Sequence, residues 1–371
     1  MLLCIVMPVI RVAFTILRFG EWGRPPSVSL KVCMAQNRER GRMPGRRGSL
    51  RAVSLELGKV AICLVLVELV LRLAGYDPNS RSAGVHPGVV GDPVLGWRYA
   101  PGRYLFPDST IVPTRTVAST HLYNGARDSG GSGQGVPLAL FGCSFVDGYG
   151  LDDKETIAWK LQERLPHYAV KNFGVSGYGT YSVLLKMNEV EPALRGHAGA
   201  ISLYGFADFH PPRNVRNPVL QQRWAKHENA QNAKGVYPVC DDGGCSVWVG
   251  GDMNQWWRRS RLLSLVRIAW DVVLSLQQVG LAERVTGRLL RQMKGQADSR
   301  ATRLIIAPVT ILNTHWKEFF AKNGFEVVEC VSPDMSAPEY VQADNHPNER
   351  WTAKYAQCLA SYLASSERSL R

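Results

Sequence analysis

Several familiar signals are missing from this chain of 371 residues. Nothing in it marks a nucleotide, a flavin or a metal ion, so no cofactor is expected. Of its eight cysteines only Cys240 and Cys245 stand close together, and no second pair lies at the spacing that completes a zinc site. Acidic residues are outnumbered, 31 Asp and Glu against 44 Lys and Arg, for a formal net charge of +13. The imbalance is concentrated at one end, because residues 1–59 hold 11 Lys and Arg and 3 Glu, a surplus of 8. From Lys31 to Lys59 that basic stretch has no aromatics and it runs directly into apolar sequence, which argues against a nucleic-acid partner and for membrane topology.

A long uninterrupted apolar run is missing too. Val60 to Gly75 is apolar except where Glu68 and Arg72 break it four residues apart, where they can pair on one helical face. About 20 apolar residues span a bilayer, so residues 55–75 make a short transmembrane signal anchor. A buried core helix is the alternative. Arg46, Arg47, Arg51 and Lys59 precede the run and Asp77 and Pro78 follow it. The positive-inside rule then keeps the N-terminus in the cytoplasm and carries the rest across. Near Leu73 to Tyr76 there is no small-x-small cleavage site, so the expectation is a single-pass inner-membrane protein with a periplasmic or otherwise extracytoplasmic domain. Residues 1–54 read as a basic, disordered region. Within them Leu2 to Leu17 is either another membrane segment or sequence upstream of a start at Met43.

Residues 76–135 read as a linker and outer subdomain, rich in Gly, Pro, Ser and Arg. From 136 to 371 the pattern alternates strand and helix. Apolar runs at Pro137–Phe141, Ala169–Phe173, Ala200–Phe206, Thr302–Val309 and Phe325–Cys330 are continuous, as in parallel strands buried on both faces. Helical stretches follow at 153–165, 180–194, 314–323 and 349–364. The fold class is α/β, a three-layer flavodoxin-like sandwich with a central parallel sheet of about five strands. An insertion, residues 207–299, separates strands three and four. It contains a hairpin at Tyr237–Gly250, where Cys240 and Cys245 face each other and can form a disulfide. Two stretches apolar at helical spacing, Leu262–Leu276 and Leu281–Met293, are expected to pack against the core. The insertion reads as a lid or substrate wall.

Three blocks lie where such a sheet binds ligands, at the carboxyl ends of its strands. LFGCSFVDGYG, from Leu140 to Gly150, ends a strand in a tight turn that presents Ser144 before a helix. KNFGVSGYGT, from Lys171 to Thr180, follows strand two. ADNHPNERW, from Ala343 to Trp351, lies near the C-terminus.

In these blocks the chain resembles the SGNH hydrolase superfamily, the GDSL-like lipases and esterases, over about Gly135 to Leu363, and within it a membrane-anchored subgroup. Gly142-Cys143-Ser144 matches the Gly-Asp-Ser turn, with Cys143 in place of the acid. Gly174 falls on the second-block glycine, and Asp344-Asn345-His346 on the terminal acid–histidine pair. The resemblance implies a Ser144 nucleophile, His346 as the base that takes its proton, and Asp344 as the carboxylate that orients the imidazole. It also implies an oxyanion hole built on the backbone N–H groups of Ser144 and Gly174. The third donor is where the chain departs: the family's Gly-x-Asn-Asp is replaced by Gly205-Phe206-Ala207-Asp208, and Ala207 has no side-chain donor. Asn214 and His210 are candidates to replace it, or else they hold the insertion in place.

The activity that the resemblance implies is that of a serine ester hydrolase acting on acyl esters; acetylated polysaccharide, peptidoglycan and lipid ester are all consistent as substrates, and esters of cell-surface carbohydrate are favoured. Two alternatives stay open: an O-acyltransferase that passes the acyl group to an exported polysaccharide, and a non-catalytic polysaccharide-binding module, for which Ala207 argues. Trp224, Trp248, Trp256 and Trp257 are either sugar-stacking platforms or core residues.

Overall fold

The computed structural model describes residues 46–77, 86–108, 115–190, 199–220, 236–249 and 259–370, together with Leu194 and His197. The Leu2–Leu17 run, Met43 and the tryptophans at 224, 256 and 257 lie outside the described residues. The first element, helix α1 (Arg46–Leu73), belongs with residues 259–272 to a small unit, and most of the other described residues form a larger one.

The larger unit opens with two antiparallel ribbons, β1 (Val89–Asp92) with β2 (Gly96–Tyr99), and β3 (Gly102–Pro107) with β4 (Thr116–His121). Strand β5 (Val136–Gly142) then runs through one tight turn into the short helix α2 (Ser144–Asp147). After α3 (Ile157–Arg164), β6 (Tyr168–Gly174), α4 (Thr180–Val190) and β7 (Ile201–Gly205) comes the insertion, with hairpin β8 (Val236–Cys240) and β9 (Cys245–Val249) and helices α5 (Arg261–Gln277) and α6 (Val279–Ser299). The chain closes with β10 (Arg303–Ile306), α7 (Thr314–Lys322), β11 (Glu326–Val327) and α8 (Glu349–Leu370).

Five of these strands form one sheet in the order β11-β10-β7-β5-β6, every pair parallel. Alternate residues serve opposite faces, and both faces are covered, so the strands read as unbroken apolar runs. Phe141, Phe173 and Tyr204 pack with Val183 of α4, Leu289 of α6 and Trp316 of α7. On the other side Leu140, Val170 and Leu203 pack with Leu161 of α3 and with Tyr355 and Leu359 of α8. The fold is therefore the expected α/β sandwich.

Its edge is shorter than the apolar runs indicate. Only Glu326 and Val327 of the fifth run pair with the sheet, and the chain then leaves to Cys330, which is disulfide-bonded to Cys358 of α8. The Cys240–Cys245 bond closes the β8–β9 hairpin as anticipated.

The two helices of the insertion behave oppositely. α6 buries Val285, Leu289, Leu290 and Met293 in the sandwich. The expectation that residues 262–276 pack in the same way is overturned, because Leu263, Val266, Trp270 and Leu276 of α5 are exposed while Ser264 and Asp271 are buried.

In the small unit, α1 leaves Ile62, Val65, Val70 and Leu73 exposed. Glu68 pairs with Arg72 at 2.7 Å. It also accepts from the backbone N–H groups of Arg261 and Leu262 (3.2 and 2.8 Å) and from Ser260 Oγ (3.0 Å), so one helix's carboxylate caps the start of the other. No single helix among the described residues is long and apolar enough to cross a membrane, and only α5 and α6 together, meeting at 52°, reach that length and composition.

Candidate active site

The site is built on a row of three glycines. Gly142, Gly174 and Gly205 end neighbouring strands in register, Gly142 opposite both of the others. A Cβ at Gly142 or Gly205 would come within 2.4 or 2.3 Å of Val146 Cγ2, and one at Gly174 within 2.3 Å of the Asp147 backbone nitrogen. Only bare backbone lets α2 sit this low on the sheet, and that seat fixes Ser144 at the mouth.

Ser144 is buried, with 7% of its surface exposed. Its Oγ lies 2.9 Å from His346 Nε2. On the other side of the ring, Nδ1 lies 3.1 Å from Asp344 Oδ1, off the line of a straight hydrogen bond, and the same oxygen accepts the His346 backbone N–H at 3.2 Å. Three residues expected together are thus brought together. Burial acts to raise the Asp344 carboxyl, but the side chain, charge and backbone N–H of His346 outweigh it and hold the pKa below the ordinary carboxylate value.

The loop bearing Asp344 and His346 is shaped locally. Asn345 between them is left-handed, φ +64°. Gln342 accepts the Asn345 N–H at its carbonyl, donates its own N–H to the His346 carbonyl (2.8 Å), and sends Nε2 to the carbonyl oxygens of Pro347 (2.8 Å) and Tyr149 (2.9 Å). Helix α8 is capped by Asn348, whose Oδ1 accepts from Trp351 N, so the acid and base upstream are not spent as caps. Phe145 and Tyr149 flank the imidazole with ring centroids 5.6 and 5.0 Å away. A cleft of about 240 Å³ opens beside this loop, with Asp108, Arg115, Gln342, Asn348 and Arg350 among its lining residues.

The expected oxyanion donors fare differently. The Ser144 N–H takes no partner among the described residues, as befits the first turn of a helix. Gly174 is corrected: its N–H already donates to Asn172 Oδ1 at 3.0 Å, and its role is to seat α2. Three residues on, half-buried Gly177 at φ +86° has an N–H with no partner among the described residues.

Asn214 is corrected as well. Buried completely, its Oδ1 accepts from Tyr181 N (2.9 Å) and its Nδ2 donates to Thr286 Oγ1 (2.7 Å), which ties α4 to α6. His210 is buried too, with Nδ1 shared between Tyr204 OH (2.9 Å) and the Ala207 N–H (3.3 Å). Burial and the charge of Arg213 hold its pKa well below the ordinary histidine value, so the ring is neutral. Trp248 stacks on Tyr237 and has the Arg216 guanidinium over its ring, which favours packing over sugar stacking.

Beneath α2 lies a polar group that no motif announces. Asp147 is fully buried; its Oδ2 accepts from Tyr99 OH at 2.8 Å and from Ser176 Oγ at 3.3 Å. Burial pushes its carboxyl up to about 6 against the charge of Arg127 and these hydrogen bonds. Arg127, itself buried, gathers the turn after α2: it donates to the carbonyls of Asp147, Gly148, Leu151 and Ala118 and to Asp153 Oδ1.

No family model and no curated protein sequence matches the chain. Among solved structures, TesA is 13% identical over 60% of this chain and 95% of its own, with a TM-score of 0.34. The esterase EstA from Pseudoalteromonas sp. is 11% identical, covering 63% of this chain and 99% of its own, with a TM-score of 0.35. A lipolytic protein of the G-D-S-L family from Desulfitobacterium hafniense gives 12%, 61%, 98% and 0.33 for the same quantities. Likenesses at this level carry no functional weight, and the chemistry rests on the geometry above.

Proposed function

We propose that this chain is a serine ester hydrolase of the SGNH type. The observation that carries the reading is the line from Ser144 Oγ through His346 to Asp344, at 2.9 and 3.1 Å. Ser144 Oγ attacks the ester carbonyl carbon while Nε2 takes its proton; a hydroxyl cannot do this efficiently unaided at neutral pH. Asp344 holds Nδ1–H and stabilises the imidazolium. The N–H groups of Ser144 and Gly177 receive the developing oxyanion, each such donor typically contributing about 2.7 to 4 kcal/mol. Collapse expels the alcohol with the proton from Nε2. Water, deprotonated by the same nitrogen, then attacks the acyl-serine, and its collapse returns the proton to Ser144 and frees the acid.

For the substrate we favour acyl esters of cell-surface carbohydrate. The polar cleft beside the His346 loop is lined by neither Ser144 nor His346, so this choice rests on the resemblance and not on that cleft. For the location we favour an extracytoplasmic domain held by α1. Arginines at 46, 47 and 51 flank the apolar run on one side, and the two disulfides suit an oxidising compartment.

The test is release of nitrophenol from p-nitrophenyl acetate by the full chain in detergent, beside Ser144→Ala and His346→Ala. The reading expects activity in the parent and its loss in both variants. Equal activity in all three overturns it, and inactivity in all three directs the assay to acyl transfer onto a sugar hydroxyl.

A further inference from the structure

We propose that α5 is an interfacial membrane helix, lying in the headgroup region of the bilayer with one apolar face in lipid. The proposal rests on the reading of α1 as the anchor and deepens it.

The carrying observation is that the most exposed side of α5 is an apolar stripe. Leu263, Val266, Trp270, Val273 and Leu276 recur every three or four residues along one side, and all five are exposed, Trp270 by 58%. The sheltered side of the same helix sets polar groups among the half-buried Leu265, Ile268 and Val272: Ser264 and Asp271 are fully buried, Asp271 holds Arg267 at 3.0 Å, and Ser275 Oγ donates to Asn217 Oδ1. An amphipathic helix in water arranges itself the other way, apolar stripe inward. Scattered exposed leucines need no account, but a stripe this regular over four turns marks an apolar partner.

Lipid is the occupant that the neighbouring residues select. The first turn of α5 is fastened to the end of α1, the helix whose own apolar residues are exposed. Glu68 caps α5 through Arg261 N and Leu262 N, Arg261 Nη1 donates to the Leu71 carbonyl at 2.7 Å, and Arg72 Nη2 donates to the Arg259 carbonyl at 2.6 Å. Arg72 and Arg261 thus meet where α1 ends, a position from which long basic side chains reach the headgroup level. The run from Val60 to Leu73 measures about 21 Å at 1.5 Å per residue, short of a hydrocarbon core of about 30 Å. A second, parallel contact compensates for a marginal span. α5 itself does not cross, because its continuation α6 is buried in the sandwich. Trp270 in mid-stripe is the residue type enriched at membrane interfaces.

The experiment uses the full chain in vesicles containing zwitterionic and anionic phospholipid. Trp270 emission is isolated as the difference between the parent and Trp270→Phe, with bromine placed at shallow or deep positions on the acyl chains. The anchor is read separately, by alkaline carbonate extraction. The proposal expects blue-shifted Trp270 emission, quenched most by shallow bromines, and loss of that quenching when Leu263 and Val266 are both changed to Ser, with retention in the carbonate pellet unaltered. Quenched Trp270 in a chain that carbonate removes keeps α5 at the membrane and discards the anchor. Unquenched Trp270 in a chain that stays in the pellet overturns the proposal and leaves the anchor standing. Blue-shifted emission without quenching overturns it in favour of contact with a second copy of the chain.

Discussion

Gln342 Nε2 donates to the carbonyl oxygen of Tyr149 at 2.9 Å, which fastens the loop bearing His346 to the turn after Ser144 across 193 residues of sequence. The two halves of the candidate triad come from distant parts of the chain, and this amide is a direct bond between their supports. Near-attack geometry is sensitive to displacements of an ångström. Gln342→Ala should therefore lower kcat about 10-fold with KM nearly unchanged, and cost about 1 to 2 kcal/mol of stability for the two carbonyls it deserts. Steady-state kinetics on p-nitrophenyl acetate alongside urea unfolding checks both.

Asn345 is one of two non-glycine residues with positive φ among the described residues, and it sits between acid and base. Asparagine tolerates the left-handed region better than other side chains with a Cβ. Asn345→Gly should retain activity and fold, whereas Asn345→Val should lose at least about 1 kcal/mol and misalign His346. Equal denaturation midpoints for the two variants contradict this.

Asp147 sets a pH dependence whose sign is the reverse of a salt-bridged carboxylate. Its pKa rises from the ordinary 3.8 to about 6, so between those values the folded state binds more proton than the unfolded one. This group's contribution to stability therefore falls as pH rises from about 4 to about 6. Asp147→Asn, which keeps an acceptor for Tyr99, should flatten that slope and gain up to about 3 kcal/mol above pH 6. Thermal midpoints measured every half pH unit report it.

Arg127 is buried beneath the same turn with its five N–H groups engaged. Arg127→Met preserves bulk but strands four carbonyls and Asp153, and should cost about 3 to 5 kcal/mol. Arg127→Lys should recover little, because an ammonium cannot reproduce the planar fork. Chemical denaturation of the two variants decides between a bidentate hub and a simple buried charge.

Much of the larger unit is legible from residue order alone. Parallel strands buried on both faces leave unbroken apolar runs, and each expected strand is found with shorter ends at the sheet edge. Ser144, Asp344 and His346 are legible through the resemblance of three separate blocks to one family, since each block alone also reads as a helix cap. The misreadings share one cause, which is that a local pattern does not say what a group already touches. Gly174 looked like a donor, but its N–H belongs to Asn172. Asn214 looked available, yet its partners Tyr181 and Thr286 lie 33 and 72 residues away. The α5 stripe has correct helical spacing, and periodicity is identical whether an apolar face looks inward or outward. Asp147, Arg127 and the Cys330–Cys358 pair carry no motif, because long-range burial alone gives them meaning.

That last bond divides the candidate triad between two kinds of support. Cys330 and Cys358 close a loop of 28 residues that contains both Asp344 and His346. Closing such a loop removes about 3.6 kcal/mol of denatured-state entropy on the chain-entropy model. The strands of the sheet, the glycine seat and Ser144 all lie outside that closed loop, whereas the segment carrying the base lies within it. The bond acts on the segment that carries acid and base and leaves the nucleophile's own support untouched: one half of the candidate triad rests on close backbone packing, the other on a covalent clasp.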